Sequence, residues 1–157
     1  MTRPVDVVDL PAQPVVTLRR RGPLAGIGAD MRRLRGLAAA AGLQTIGPMA
    51  ARFHDYAGMD ADADYEVVIG VVLPPGAPFP AALGEARGEW LPPRRALETV
   101  HRGPHDQMDA VWETVTAACA ADGWRACGPV EEVYEVTRAD DVPPDEYVTR
   151  VRLPFTS

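Results

Sequence analysis

One stretch of this chain is written twice, and that duplication limits the fold more than any other feature. Residues 21–56 read RGPLAGIGADMRRLRGLAAAAGLQTIGPMAARFHDY, and residues 102–137 read RGPHDQMDAVWETVTAACAADGWRACGPVEEVYEVT. Gly22-Pro23 falls on Gly103-Pro104, Gly42 on Gly123, Gly47-Pro48 on Gly128-Pro129 and Phe53 on Tyr134, all at the offset 103 − 22 = 81. Further along the offset reads as 80, with Glu66 against Glu146 and Leu73-Pro74 against Leu153-Pro154. A repeat of this length predicts two similar half-domains related by a pseudo-twofold axis, with a ligand cleft between them.

Within each copy the periodicity is mixed. A short strand (Val15–Leu18; Ala96–Val100) leads into Gly-Pro, and proline suits the entry to a helix because its missing N–H would be unpaired there. Apolar residues then recur at helical spacing, at Leu24, Ile27, Met31, Leu34, Leu37 and Ala41, and again at Met108, Trp112, Val115 and Ala118. Gly42 and Gly123 stand where C-capping glycines belong. Strands are predicted over 49–56 and 130–136, then, after an acidic loop, over 67–73 and 147–153, each closed by a proline. The fold class expected is α+β: tandem β-α-β-β halves, about 5–74 and 94–155, forming antiparallel sheet with helices on one side. Residues 75–93 read as a linker, since Pro74–Pro93 contains six prolines. Trp90 lies in it, and such a tryptophan should fold back over apolar core or over a ligand cleft.

Composition excludes several chemistries. A chain of 157 residues can bury a core without disulfide or metal staples. There is no apolar run of the ~18 residues that span a membrane, and MTRPVDVVDLPAQP does not read as a signal peptide, so the cytoplasm is the expected location. The net charge of −6 argues against general nucleic-acid affinity, and Arg19–Arg21 with Arg32, Arg33 and Arg35 read as solvated faces. The chain has no Lys and no Asn, and its single Ser is Ser157, which argues against a serine nucleophile, a Schiff-base lysine and a Walker phosphate loop. Cys119 reads as core and Cys127 as a strand-entry residue. No metal is expected: Gly103-Pro104 separates His101 from His105, and the Asp60–Asp64 loop lacks the glycine and terminal glutamate of a calcium loop. No cofactor is expected either.

The most telling segment is Glu131–Glu135. Its counterpart carries Ala50, Ala51 and Phe53, so the acids belong to the second copy alone. Side chains alternate along a strand, so Glu132 shares a face with Tyr134, which stands in the apolar place of Phe53. An inward Glu132 would raise its own pKa unless it binds something; the competing reading is an edge glutamate or one paired with an arginine.

These patterns resemble the GyrI-like small-molecule-binding family, the effector-binding domain of multidrug-responsive MerR- and AraC-type regulators. The resemblance rests on VVTLRRRGP (15–23), GPMAARFHDY (47–56), HRGPH (101–105), GPVEEVY (128–134) and PDEYVTRVRLP (144–154), in that order. It implies a pair of β-α-β-β halves around a ligand cleft, with the characteristic glutamate at Glu132, two residues before Tyr134. It also implies that a hydrophobic or aromatic, often cationic, small molecule is held by Glu132, Tyr134, Phe53, Tyr56, Trp90, His105, Met108 and Trp112. Two positions depart from the pattern: His105 replaces a frequent aromatic, and Arg150 a frequent glutamate. With no helix-turn-helix ahead of it, the module is expected to stand alone. Stand-alone members of this kind include hydrolases of cyclopropane-bearing DNA-alkylating natural products, which would give Glu132 and Tyr134 catalytic roles. A third expectation from the resemblance is a protein partner, a separate regulator or a DNA-processing enzyme.

Overall fold

The computed structural model describes residues 4–55 and 62–157. In chain order the elements are β1 (Asp6–Leu10), β2 (Gln13–Gly22), α1 (Ile27–Ala40), β3 (Thr45–Asp55), β4 (Ala63–Val71), β5 (Arg87–Leu91), β6 (Arg94–Arg102), α2 (Met108–Ala121), β7 (Arg125–Ala126), β8 (Val130–Val136) and β9 (Val148–Thr156). The class is α+β, and every pairing described below is antiparallel. Two compact units result, Ala12–Pro92 and Met1–Pro11 with Pro93–Ser157. The first has strand order β3-β4-β2-β5 with α1 packed on its strands. The second has order β1-β6-β9-β8, with β7 added to β9 and α2 packed on β6 and β9.

Both helices begin and end as the repeat dictates. Pro23 and Pro104 are extended and each leads into a single 3-10 turn, Leu24–Gly26 and His105–Gln107, ahead of the α-helix. At the other end Gly42 (φ +76°) donates to Ala39 O at 3.0 Å and Gly123 (φ +69°) to Ala120 O at 3.1 Å. The next N–H in each case, Leu43 and Trp124, reaches back to Ala38 O and Cys119 O at 3.0 Å. A side chain at either glycine would be strained by roughly 1 kcal/mol. The helix faces toward the sheets are Leu34 and Ala38 in α1, and Met108, Val111, Val115 and Cys119 in α2. In the second unit these join Leu97, Val151, Leu153 and Phe155 in one core. Trp112 and Ala118, expected on that face, sit partly buried at its margin. Cys127 is exposed, and its N–H donates to Pro154 O at 2.9 Å.

The structure departs from the sequence reading in three ways. First, residues 87–91 are not linker but strand β5, paired with β2, with Trp90 opposite Pro14 and 39 % exposed. The glycine there marks a close approach rather than slack: a Cβ on Gly88 would lie 2.2 Å from the Phe79 ring. Second, each repeat has one more strand than β-α-β-β, because β1 and β5 are themselves equivalent (87 − 6 = 81). They are exchanged: β1, from the first repeat, pairs with β6, and β5, from the second, pairs with β2. Third, the last strands match at an offset of 84, not 80. Leu18 faces Val67 and Thr99 faces Val151, so 151 − 67 = 84 while 99 − 18 = 81. Strand β9 therefore runs through Pro154, whose carbonyl still accepts a bond although its nitrogen cannot donate one.

Candidate functional site

Strand β8 spans Val130–Val136 as the alternation predicts. Glu132 stands opposite Val151 and Tyr134 opposite Thr149, both on β9. Helix α2 brings Trp112 to the same place. The Glu132 carboxylate, 6 % exposed, accepts the Trp112 indole N–H on Oε2 and the Tyr134 hydroxyl on Oε1, both at 2.7 Å. The turn ahead of α2 adds His105, whose ring meets Tyr134 edge-on with centroids 5.5 Å apart and lies 5.6 Å from Tyr147. His105 Nε2 is 3.2 Å from Thr149 Oγ1.

The electrostatics set Glu132 apart. Four glutamates are buried among the described residues: Glu66, Glu98, Glu131 and Glu132. Glu66 pairs with Arg52 at 3.0 Å and His54 at 2.6 Å, Glu98 with Arg150 at 2.8 Å and Arg152 at 2.6 Å, and Glu131 with Arg94 at 3.0 Å. Among the described residues Glu132 has only the two neutral donors. Burial raises its pKa, the Tyr134 and Trp112 bonds oppose that rise, and nearby Asp109 adds to it. Burial, with Glu132 beside it, holds the Tyr134 phenol well above its ordinary value. Burial, and secondarily His101, lowers His105. The arrangement is a buried carboxyl group held by two neutral donors, with the rings of Trp112, Tyr134 and His105 gathered there.

Of the residues proposed from sequence, Glu132, Tyr134, Trp112 and His105 come together. Met108 lies in the hydrophobic core. Phe53 is buried in the other unit, opposite Tyr65, and Trp90 is on β5 of that unit. Tyr56, like Asp60 of the acidic loop, lies outside the described residues. Tyr147 and Thr149 are additional members that sequence reasoning passed over. The signal for Thr149 was its alternation along β9, but that needs the β8–β9 register, which the repeat alone misassigned. Among the described residues no group of three or more His, Cys, Asp or Glu side chains is placed to hold a metal ion. No described helix is long and apolar enough to cross a membrane.

Comparison with solved structures returns the same architecture. The C-terminal domain of EcmrR superimposes with a TM-score of 0.86 at 16 % identity, covering 100 % of this chain and 99 % of that one. A hydrolase from Listeria innocua gives 0.72 at 12 % identity, with 99 % and 93 % covered. SAV2435 bound to tetraphenylphosphonium gives 0.65 at 12 % identity, with 98 % and 94 % covered. At these identities the likeness is one of fold. No curated protein matches the chain by sequence. The family model of the GyrI-like small molecule binding domain matches residues 3–156. With that match spanning nearly its whole length, the chain belongs to the GyrI-like small-molecule-binding domain family.

Proposed function

We propose that this protein binds hydrophobic cations, with Glu132 supplying the counter-charge. The observation that carries the reading is the contrast among buried glutamates: among the described residues three have arginine partners, and Glu132 has none. A buried carboxylate without a cation is costly, and a ligand bearing the missing charge removes that cost on binding. Tyr134, Trp112 and Tyr147 would add cation–π and stacking contacts worth about 0.5–2 kcal/mol each. The tetraphenylphosphonium held by SAV2435, a protein of the same fold, is a ligand of this chemical kind. On this reading the chain acts as a receptor or sequestering module in the cytoplasm. Titration of tryptophan fluorescence with tetraphenylphosphonium tests it. Glu132→Gln is expected to weaken binding at least tenfold, about 1.4 kcal/mol; equal affinity in the two proteins would overturn the charge-reading role.

A second reading has its own support. The Tyr134 hydroxyl lies 2.7 Å from a carboxylate with a raised pKa, the pairing expected of general acid–base work, and a hydrolase shares the fold. In that reading Glu132 takes a proton from water and Tyr134 stabilises charge on the substrate as a strained cyclopropane opens. Turnover of a cyclopropane-bearing electrophile, abolished by Glu132→Gln and reduced ~10²-fold or more by Tyr134→Phe, would establish it. Binding without turnover would leave the receptor reading alone.

A further inference from the structure

The two histidines of the second unit have different partners at Nε2. His101 Nε2 faces Pro104 O at 2.9 Å, and a carbonyl only accepts, so that nitrogen bears the hydrogen. His105 Nε2 faces the Thr149 hydroxyl at 3.2 Å. Thr149 is 0 % exposed, and His105 is the one partner of its hydroxyl among the described residues. A buried hydroxyl left with no acceptor is unfavourable, so Thr149 donates and His105 Nε2 accepts. The neutral imidazole must then carry its hydrogen on Nδ1. Burial favours that neutral form, which is the direction of the shift at His105. Nδ1 has no partner among the described residues, and the ring stands edge-on to the tyrosine that bonds Glu132. The Trp112 N–H and the Tyr134 O–H both donate to Glu132.

We propose that His105 is the second polar anchor of the site: its Nδ1–H donates to an acceptor on the ligand, selecting lipophilic cations that also carry a carbonyl or ether oxygen. The inference rests on the binding reading above and adds to it the ligand's second functional group. A donor held in place by its ring contacts favours a ligand that can accept from it over one that cannot.

Two probes of equal charge separate the roles: tetraphenylphosphonium, with no acceptor atom, and phenacyltriphenylphosphonium, which adds one ketone. Wild type is expected to bind the ketone probe about tenfold more tightly. His105→Phe keeps a ring against Tyr134 and Tyr147 but removes the donor. Combining it with Thr149→Val removes the stranded hydroxyl as well. In the double variant the preference for the ketone probe should fall to about one. No preference in wild type, a preference surviving in the double variant, or equal weakening of both probes would each overturn the assignment. Glu132→Gln separates this result from the underlying reading. If it weakens both probes alike, Glu132 reads charge. If it changes neither, that reading fails, while the ketone preference still reports on His105. Failure of both probes to bind wild type would sink both.

Discussion

Strands β3 and β8 hold equivalent places in their units, yet one is inert where the other carries an acid. Ala51 faces Val67 as Glu132 faces Val151, and Phe53 faces Tyr65 as Tyr134 faces Thr149. The first unit carries its polar cluster on different elements, where it is partly exposed. There the Tyr65 hydroxyl donates to Asp30 of α1, Arg20 lies 3.4 Å from the same carboxylate, and Glu85 pairs with Arg20 and Arg33. At the position of Asp30 the second unit has Val111, fully inside its core (111 − 30 = 81). One backbone plan thus carries two electrostatic solutions. The first half neutralises its acid with an arginine, which stabilises it. The second leaves Glu132 to two neutral donors on aromatic rings.

The sharpest way to break this comparison is to move the acid. Ala51→Glu places a carboxylate at the equivalent buried position, where Met31 stands in place of the indole donor of Trp112 (112 − 31 = 81). Destabilisation of about 5 kcal/mol is expected in urea unfolding, from overpacking plus an unpaired buried group. A loss below ~1 kcal/mol would mean that the position tolerates acids generally and that Glu132 is nothing special. Next in size, Arg94→Ala strands Glu131 and should cost about 3 kcal/mol. Tyr65→Phe removes one bond from an Asp30 that keeps Arg20, and about 1–2 kcal/mol is expected.

The smallest effect is the most diagnostic. Glu132→Gln should change stability at neutral pH by less than ~1 kcal/mol, because it trades a lost hydrogen bond against relief of a buried charge. The pH dependence has a definite sign. The pKa of Glu132 is raised in the folded state, so the folded protein binds the extra proton first. Relative to Glu132→Gln, wild type should therefore gain stability as pH falls from neutral toward 4.5, the ordinary glutamate value, and lose it as pH rises. Thermal unfolding of both proteins across that range checks it, and a pH-independent difference would break the contrast between Glu132 and its paired neighbours.

Much of this was legible in the sequence, for identifiable reasons. Gly-Pro entries and capping glycines act locally, so both helices followed from spacing alone. Glu132 stood out because period-two alternation and the repeat gave independent reasons to place it inside. The failures were all matters of register and distance along the chain. Leu73-Pro74 and Leu153-Pro154 look alike but are not equivalent, because the second unit has three extra residues before its last strand (84 − 81 = 3). Strands β1 and β5 share only their final leucine, DVVDL against RGEWL, since edge strands are constrained on one side only. Trp112 was legible as an apolar ridge, but the reach of its N–H to Glu132 depends on how α2 lies on the sheet.

The exchange of β1 and β5 sets an order of assembly. As the chain leaves the ribosome, everything needed for the unit Ala12–Pro92 arrives in one uninterrupted run, and β5 closes it. Strand β1 is made first but pairs with β6, whose first residue follows 88 positions later (94 − 6 = 88). The growing chain therefore carries β1 without β6 until the second unit emerges. The unit that contains Glu132 is the second of the two to be finished, with a strand made before Ala12–Pro92 as its edge.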